Sequence, residues 1–181
     1  SVPLGELLDE AIVRAGKIIQ EKNPNLSEAE KTDITRKIGI GAVKYADLSQ
    51  YRMTDYIFSW EKMLSFQGNT APYLQNAYVR IRSIFRKAGE EGKNAGKSKT
   101  NQIMLETTEE RSLAAKLCQF AEVVPSVLND FRPNVLANYL FELANAFHAF
   151  YEACPVLKSD EPARSSRLSL CDLTGRVLEQ G

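Results

Sequence analysis

Residues 133–153, PNVLANYLFELANAFHAFYEA, decide the fold of this chain. Leu136, Tyr139, Leu140, Leu143, Ala144, Phe147, Phe150 and Tyr151 recur there at helical spacing and build one wide apolar face. Pro133 suits the first turn, where its missing N–H is not needed, and Pro155 stops the helix. So broad a face has to be covered by other helices, and the stretch reads as the central helix of a bundle.

Working outward, residues 109–130 predict a helix with Leu113, Leu117, Phe120, Val124, Val127 and Leu128 inward, bent or interrupted at Pro125. A last helix from about residue 162 turns Leu168, Cys171, Val177 and Leu178 to the core. Near the start, Leu4, Leu7, Leu8, Ala11, Ile12, Ala15, Ile18 and Ile19 form the stripe of an amphipathic helix over 4–22, ended by Asn23-Pro24-Asn25. Ser27 with Glu30 is a capping box that opens a second helix, running to residue 48. Gly39 and Gly41 weaken that helix by roughly 1 kcal/mol each relative to Ala, which points to close packing against another element. Tyr56, Phe58, Trp60 and Phe66 make an aromatic connector over 49–67. It is expected to pack between the first two helices and the later bundle, with a short extended piece at 56–58. Neither an internal repeat nor a strand ladder is visible. The expected fold is all-α, an antiparallel helical bundle preceded by a helical junction.

Gly68-Asn69-Thr70-Ala71-Pro72-Tyr73-Leu74-Gln75-Asn76-Ala77-Tyr78-Val79-Arg80 opens a helix with two distinct faces. Asn69 or Thr70 can cap it, and Pro72 fits its first turn. Leu74, Ala77, Tyr78, Ile81, Ile84 and Phe85 form the core stripe. Tyr73, Asn76, Arg80 and Lys87 lie along a neighbouring line that a core does not need. A ring, an amide and two cations suit unstacked RNA bases and their phosphates. Solvated charge, with Tyr73 packed on the connector, explains the same residues on a surface helix. The helix ends near Gly89, and a solvated loop over 89–104 carries Lys93, Lys97 and Lys99.

The 181 residues balance 23 basic against 23 acidic side chains, with 44% apolar, the composition of a globular protein. Charge is uneven: residues 1–67 sum to −1, residues 68–104 to +5 and residues 105–181 to −4. An anionic partner is therefore drawn to the helix of residues 70–88 and the loop after it. No run is long and apolar enough to span a bilayer, and the first residues lack signal-peptide character. Cys118, Cys154 and Cys171 are too far apart for a zinc site or a disulfide framework, which suggests a reducing cytoplasm. His148 is the single histidine, so neither a triad nor a histidine metal site can be built, and it reads as structural or surface. Asp9-Glu10 and Glu109-Glu110 read as solvated charge at helix ends, and no phosphate loop follows the glycines. No residue stands out as catalytic or metal-ligating. The residues alone describe a binding or assembly module.

Ile40-Gly41-Ala42-Val43-Lys44-Tyr45-Ala46-Asp47-Leu48-Ser49, Thr54-Asp55-Tyr56-Ile57-Phe58, Met63-Leu64-Ser65-Phe66 and the Gly68–Gln75 run resemble signatures of the bacterial, class I arginyl-tRNA synthetases. Phe150-Tyr151-Glu152, Cys154-Pro155-Val156-Leu157, Ser166-Arg167-Leu168 and the opening Val2–Ala11 segment are similar to the same family. The resemblance covers essentially the whole chain. It implies a C-terminal fragment of a cytoplasmic arginine–tRNA ligase. Residues 1–67 would be the end of the catalytic half and its helical junction, and residues 68–181 an anticodon-binding helical bundle truncated at its C-terminus. ATP with Mg, and arginine, would bind elsewhere in a monomeric full enzyme, and this piece would be inactive alone. Arginine tRNA is the implied partner. Tyr73, Arg80 and Tyr151 match positions that contact the anticodon loop. Asn76 departs from the Tyr of many members, and an amide hydrogen-bonds a base but stacks poorly. Lys44, Asn69, Gln75 and Lys87 are further candidates for tRNA contact, with capping and helix-surface roles open for Asn69 and Gln75. The competing reading is a helical protein–protein interaction module, supported by the apolar face of residues 135–151 and by the aromatic connector.

Overall fold

Helix α1, Leu4–Lys22, and helix α2, Glu28–Leu48, run antiparallel, because the apolar stripe of each needs a cover and the turn between them is short. The computed structural model describes residues 3–90 and 103–181. All its regular structure is helical: α1, α2, α3 (Trp60–Met63), α4 (Ala71–Glu90), α5 (Thr108–Cys118), α6 (Phe120–Asp130), α7 (Pro133–Ala153) and α8 (Ala163–Gln180). They fall into two compact units, Ser1–Tyr73 and Leu74–Gly181.

In the first unit, Ser27 and Glu30 form the expected capping box, each side chain taking the other's free amide. Ala11, Ala15 and Ile19 of α1 bury against the face of α2 that carries Thr35, Gly39, Ala42 and Val43. Gly39 is required there, since a Cβ would sit 2.8 Å from the Ala11 carbonyl oxygen and 2.9 Å from the Ile12 Cα. Met63 joins the Ala11–Val43 cluster, and Leu64 joins Ala15 and Ala42. Trp60 packs on both clusters, with the Arg14 guanidinium 5.2 Å above its ring. The connector departs from expectation. Tyr51, Met53, Tyr56, Ile57 and Phe58 are exposed, and residues 56–58 form no strand. Residues 51–59 have no regular backbone to gather side chains onto one face; only the short α3 does so, and it buries Met63.

In the second unit α7 is central, packing on α5, α6 and α8. It buries Ala137, Tyr139, Leu140, Leu143, Ala144, Phe147 and Phe150. Along α4, Ala77, Ile81 and Ile84 of the predicted stripe are buried, Leu74, Tyr78 and Phe85 are half-buried, and Ala88 is buried as well. The helix expected over 109–130 is two helices, and they part at Gln119 rather than Pro125. In a continuous helix the Lys116 carbonyl would accept from the amide of Phe120. Instead it accepts from the Tyr139 hydroxyl at 2.9 Å and the Gln119 amide at 3.2 Å, while Phe120 stacks on the Tyr139 ring. Pro125 sits inside α6, which buries none of its residues fully, so Val124 and Leu128 are exposed where they were expected inward.

One ion pair ties this unit across its core. The Arg167 Nε on α8 donates to the Glu110 carboxylate on α5 at 2.7 Å, with both side chains buried. Burial alone would push the Glu110 carboxyl up. Hydrogen bonds from the Thr107 amide, Arg167 and the Glu106 amide outweigh it and hold the pKa below the usual carboxylate value.

Candidate nucleic-acid interface

Thr70 caps α4, its Oγ1 accepting the Tyr73 amide at 3.3 Å and donating to the Ser65 carbonyl at 2.6 Å. Within the second unit, the polar side of α4 forms one wall of a groove of about 780 Å³. Asn76, Arg80 and Lys87 come from that helix, and Tyr151, Glu152 and Lys158 from the end of α7 and the chain after it. Asn76, Arg80 and Lys87 recur at helical spacing, so they stand in one line. Three cations face one carboxylate, an excess that favours an anion.

Arg80 is held on two sides. Its guanidinium carbon lies 5.0 Å from the centre of the Tyr151 ring, and its Nη1 stands 3.2 Å from the His148 Nδ1. An arginine only donates, so Nδ1 accepts, and the imidazole is the neutral tautomer protonated at Nε2. Burial is the main reason that the His148 pKa lies below its ordinary value; the charge of Arg80 lowers it further, against Glu152, which raises it. Phe147, fully buried, supports the ring of Tyr151 from 6.1 Å. Tyr151 itself is 37% exposed, a partly open aromatic surface beside a cation. The far wall is anchored from the core, since Arg167 Nη1 donates to the Pro155 carbonyl at 2.9 Å and to Ser159 Oγ at 2.6 Å.

Four residues singled out from the sequence, Asn76, Arg80, Lys87 and Tyr151, thus line one groove. Tyr73 is half-buried and does not line it, and Gln75 is half-buried. Lys44 is exposed on α2 in the first unit. Asn69 accepts a 2.5 Å hydrogen bond from the Tyr45 hydroxyl, so Thr70 and not Asn69 caps α4. Burial pushes the Tyr45 phenol well up. Lys93, Lys97 and Lys99 lie outside the described residues. Sequence reasoning missed Lys158, Glu152 and the part played by His148. His148 lies three residues before Tyr151 on the same side of α7, a hint present in the spacing, but its partner is 68 residues away.

Comparison with known proteins bears on the family of the chain. Residues 74–181 match the family model of the DALR anticodon binding domain, and residues 1–60 that of the catalytic domain of class I tRNA synthetases (R). Arginine–tRNA ligase of Cellvibrio japonicus is 50% identical over the whole chain and that of Alteromonas mediterranea 52%. The chain spans 31% of the length of each. Among solved structures, Thermus thermophilus arginyl-tRNA synthetase superposes with a TM-score of 0.86 at 34% identity, covering 98% of this chain and 30% of that one. The enzyme of Plasmodium falciparum gives 0.84 at 30% identity, covering 98% of this chain and 31% of that one. Similar throughout its length to arginyl-tRNA synthetases, and matched over the whole of its second unit by the anticodon-binding model, the chain belongs to the DALR anticodon binding domain family.

Proposed function

We propose that this chain is the tRNA-recognising region of an arginine–tRNA ligase, and that its second unit binds the anticodon loop in the groove between α4 and the end of α7. The observation that carries this reading is Arg80 held between the Tyr151 ring and His148 beside Asn76, Lys87 and Lys158. Splayed RNA bases stack on rings and hydrogen-bond to amides, while their phosphates pair with cations. In the whole enzyme, ATP with Mg would activate arginine as its adenylate, and the arginyl group would pass to the terminal ribose of the tRNA. Residues 1–67 would close the catalytic half and connect it to the bundle of residues 68–181. The full enzyme would act as a cytoplasmic monomer. Among the described residues no helix is long and apolar enough to cross a membrane.

Within the reading, Tyr73, Asn76, Arg80 and Tyr151 contact the anticodon, with Lys44, Asn69, Gln75 and Lys87 as further tRNA contacts. Asn69 is the weakest of these, because its side-chain oxygen is already used by Tyr45. The reading as a protein-interaction module keeps the exposed connector residues Tyr56, Ile57 and Phe58 and loses its other support. The apolar face of residues 135–151 is spent on the core, with Phe147 and Phe150 at 0% exposure. The test is binding of the chain to arginine tRNA and to the same tRNA with its central anticodon base changed, at two salt concentrations. Base-dependent binding that weakens with salt is expected. Equal affinity for both tRNAs would remove the anticodon-reading assignment.

A further inference from the structure

The structure assigns a positioning role to His148: it aims the Arg80 guanidinium into the groove without neutralising it, so that the full positive charge meets an RNA phosphate. The inference rests on the proposed function and adds to it a residue that contacts no RNA. Three observations carry it. The Arg80 Nη1 to His148 Nδ1 distance of 3.2 Å is a hydrogen bond in which the imidazole can only accept. The Tyr151 ring, 5.0 Å from the guanidinium carbon, holds Arg80 from another side through its face, again without a formal charge. Both partners stand on α7, itself packed on three other helices, so they form a rigid seat for a long and otherwise mobile side chain.

The choice of an imidazole matters. Acidic partners hold arginine more tightly through charge-assisted bonds. A carboxylate at residue 148 would also cancel the charge that a phosphate needs and compete with it for the same N–H groups. A neutral acceptor orients the cation and leaves its charge available. Glu152, one turn further along α7, also lines the groove.

Two substitutions separate this role from simple packing. His148→Asn places an amide oxygen near the position of Nδ1 and keeps a neutral acceptor. His148→Asp offers the same reach with a negative charge. The 181-residue chain and each variant are titrated with the anticodon stem–loop of arginine tRNA across a salt series, with thermal unfolding followed in parallel. The Asn variant is expected to bind within about threefold of the parent. The Asp variant is expected to unfold no earlier than the Asn variant, to lose about tenfold in affinity and to show a salt slope shallower by roughly 0.7, the loss of one phosphate contact. A structural role for His148 predicts the reverse order, with Asp as good as Asn or better, and that result overturns the inference. Arg80→Ala is the reference: its affinity and slope should coincide with those of His148→Asp, and a clear difference between the two also counts against it. Failure of the parent chain to bind the stem–loop at all would instead sink the proposed function.

Discussion

At the scale of single residues, the groove joins groups whose roles separate cleanly by substitution. Tyr151 offers a ring, and stacking of a base on an aromatic side chain is worth about 1–3 kcal/mol. Tyr151→Ala should therefore weaken stem–loop binding by roughly tenfold to a hundredfold, while Tyr151→Phe stays close to the parent, as fluorescence anisotropy can measure. Loss in both variants would mean that the hydroxyl, not the ring, is read. Glu110 is a different kind of residue, buried and satisfied by three donors. Removing one member of a buried pair costs about 3–5 kcal/mol, so Arg167→Met should lower the urea midpoint strongly. Because the folded Glu110 pKa lies below its ordinary value of 4.5, its contribution is complete above that pH and is lost as pH falls through the depressed value. Glu110→Gln should make stability flatter with pH on the acid side of pH 4.5 and leave its slope near neutrality unchanged.

Helices act here through their ends and their contact faces. Thr70 satisfies a free amide of the first turn of α4, and Thr70→Ala should cost about 1 kcal/mol of stability in chemical denaturation. Asn69→Ala, one residue earlier, should disturb the Tyr45 contact and leave the cap intact. The α1–α2 pair depends on close approach of two backbones at Gly39. Gly39→Ala would drive a methyl group into the backbone at Ala11 and Ile12, so the gain in helix propensity is outweighed by overpacking of about 1–3 kcal/mol. A stabilised Ala variant would show that the two helices have room to separate.

Viewed as a whole molecule, the chain is neutral, yet its sequence concentrates positive charge in residues 68–104, with Arg80, Arg82, Arg86 and Lys87 on α4. Every residue lining the candidate groove belongs to that unit. A chain of residues 70–181, which keeps the Thr70 cap, should therefore bind the anticodon stem–loop as tightly as the 181-residue chain. A marked loss would place part of the contact in the first unit, with Lys44 and Asn69 the residues to substitute next. The chain aligns throughout with relatives of which it spans 31%.

Periodicity alone determined the helices with long uniform stripes: α1, α2, α4, α7 and α8 stand where Ala11, Ala42, Ile81, Phe147 and Leu168 repeat at helical spacing. Capping chemistry at Ser27 was equally local, because a helix end is a property of a few neighbouring residues, whereas the close approach that requires Gly39 comes from Ala11 and Ile12 on the other helix. Asn76, Arg80 and Lys87 could be placed on one line because helical spacing is local too. Tertiary structure decided what depended on distant partners. The Tyr139 hydroxyl, from α7, takes the Lys116 carbonyl and parts α5 from α6, which no property of residues 109–130 announces. Residues 51–59, without a period, left the exposure of Tyr56 and Phe58 to the packing around them. His148 becomes the acceptor for Arg80 only because folding brings together two residues 68 positions apart in sequence. A hydrogen bond across that separation is chosen by packing, and packing is a property of the folded core rather than of any stretch of the chain.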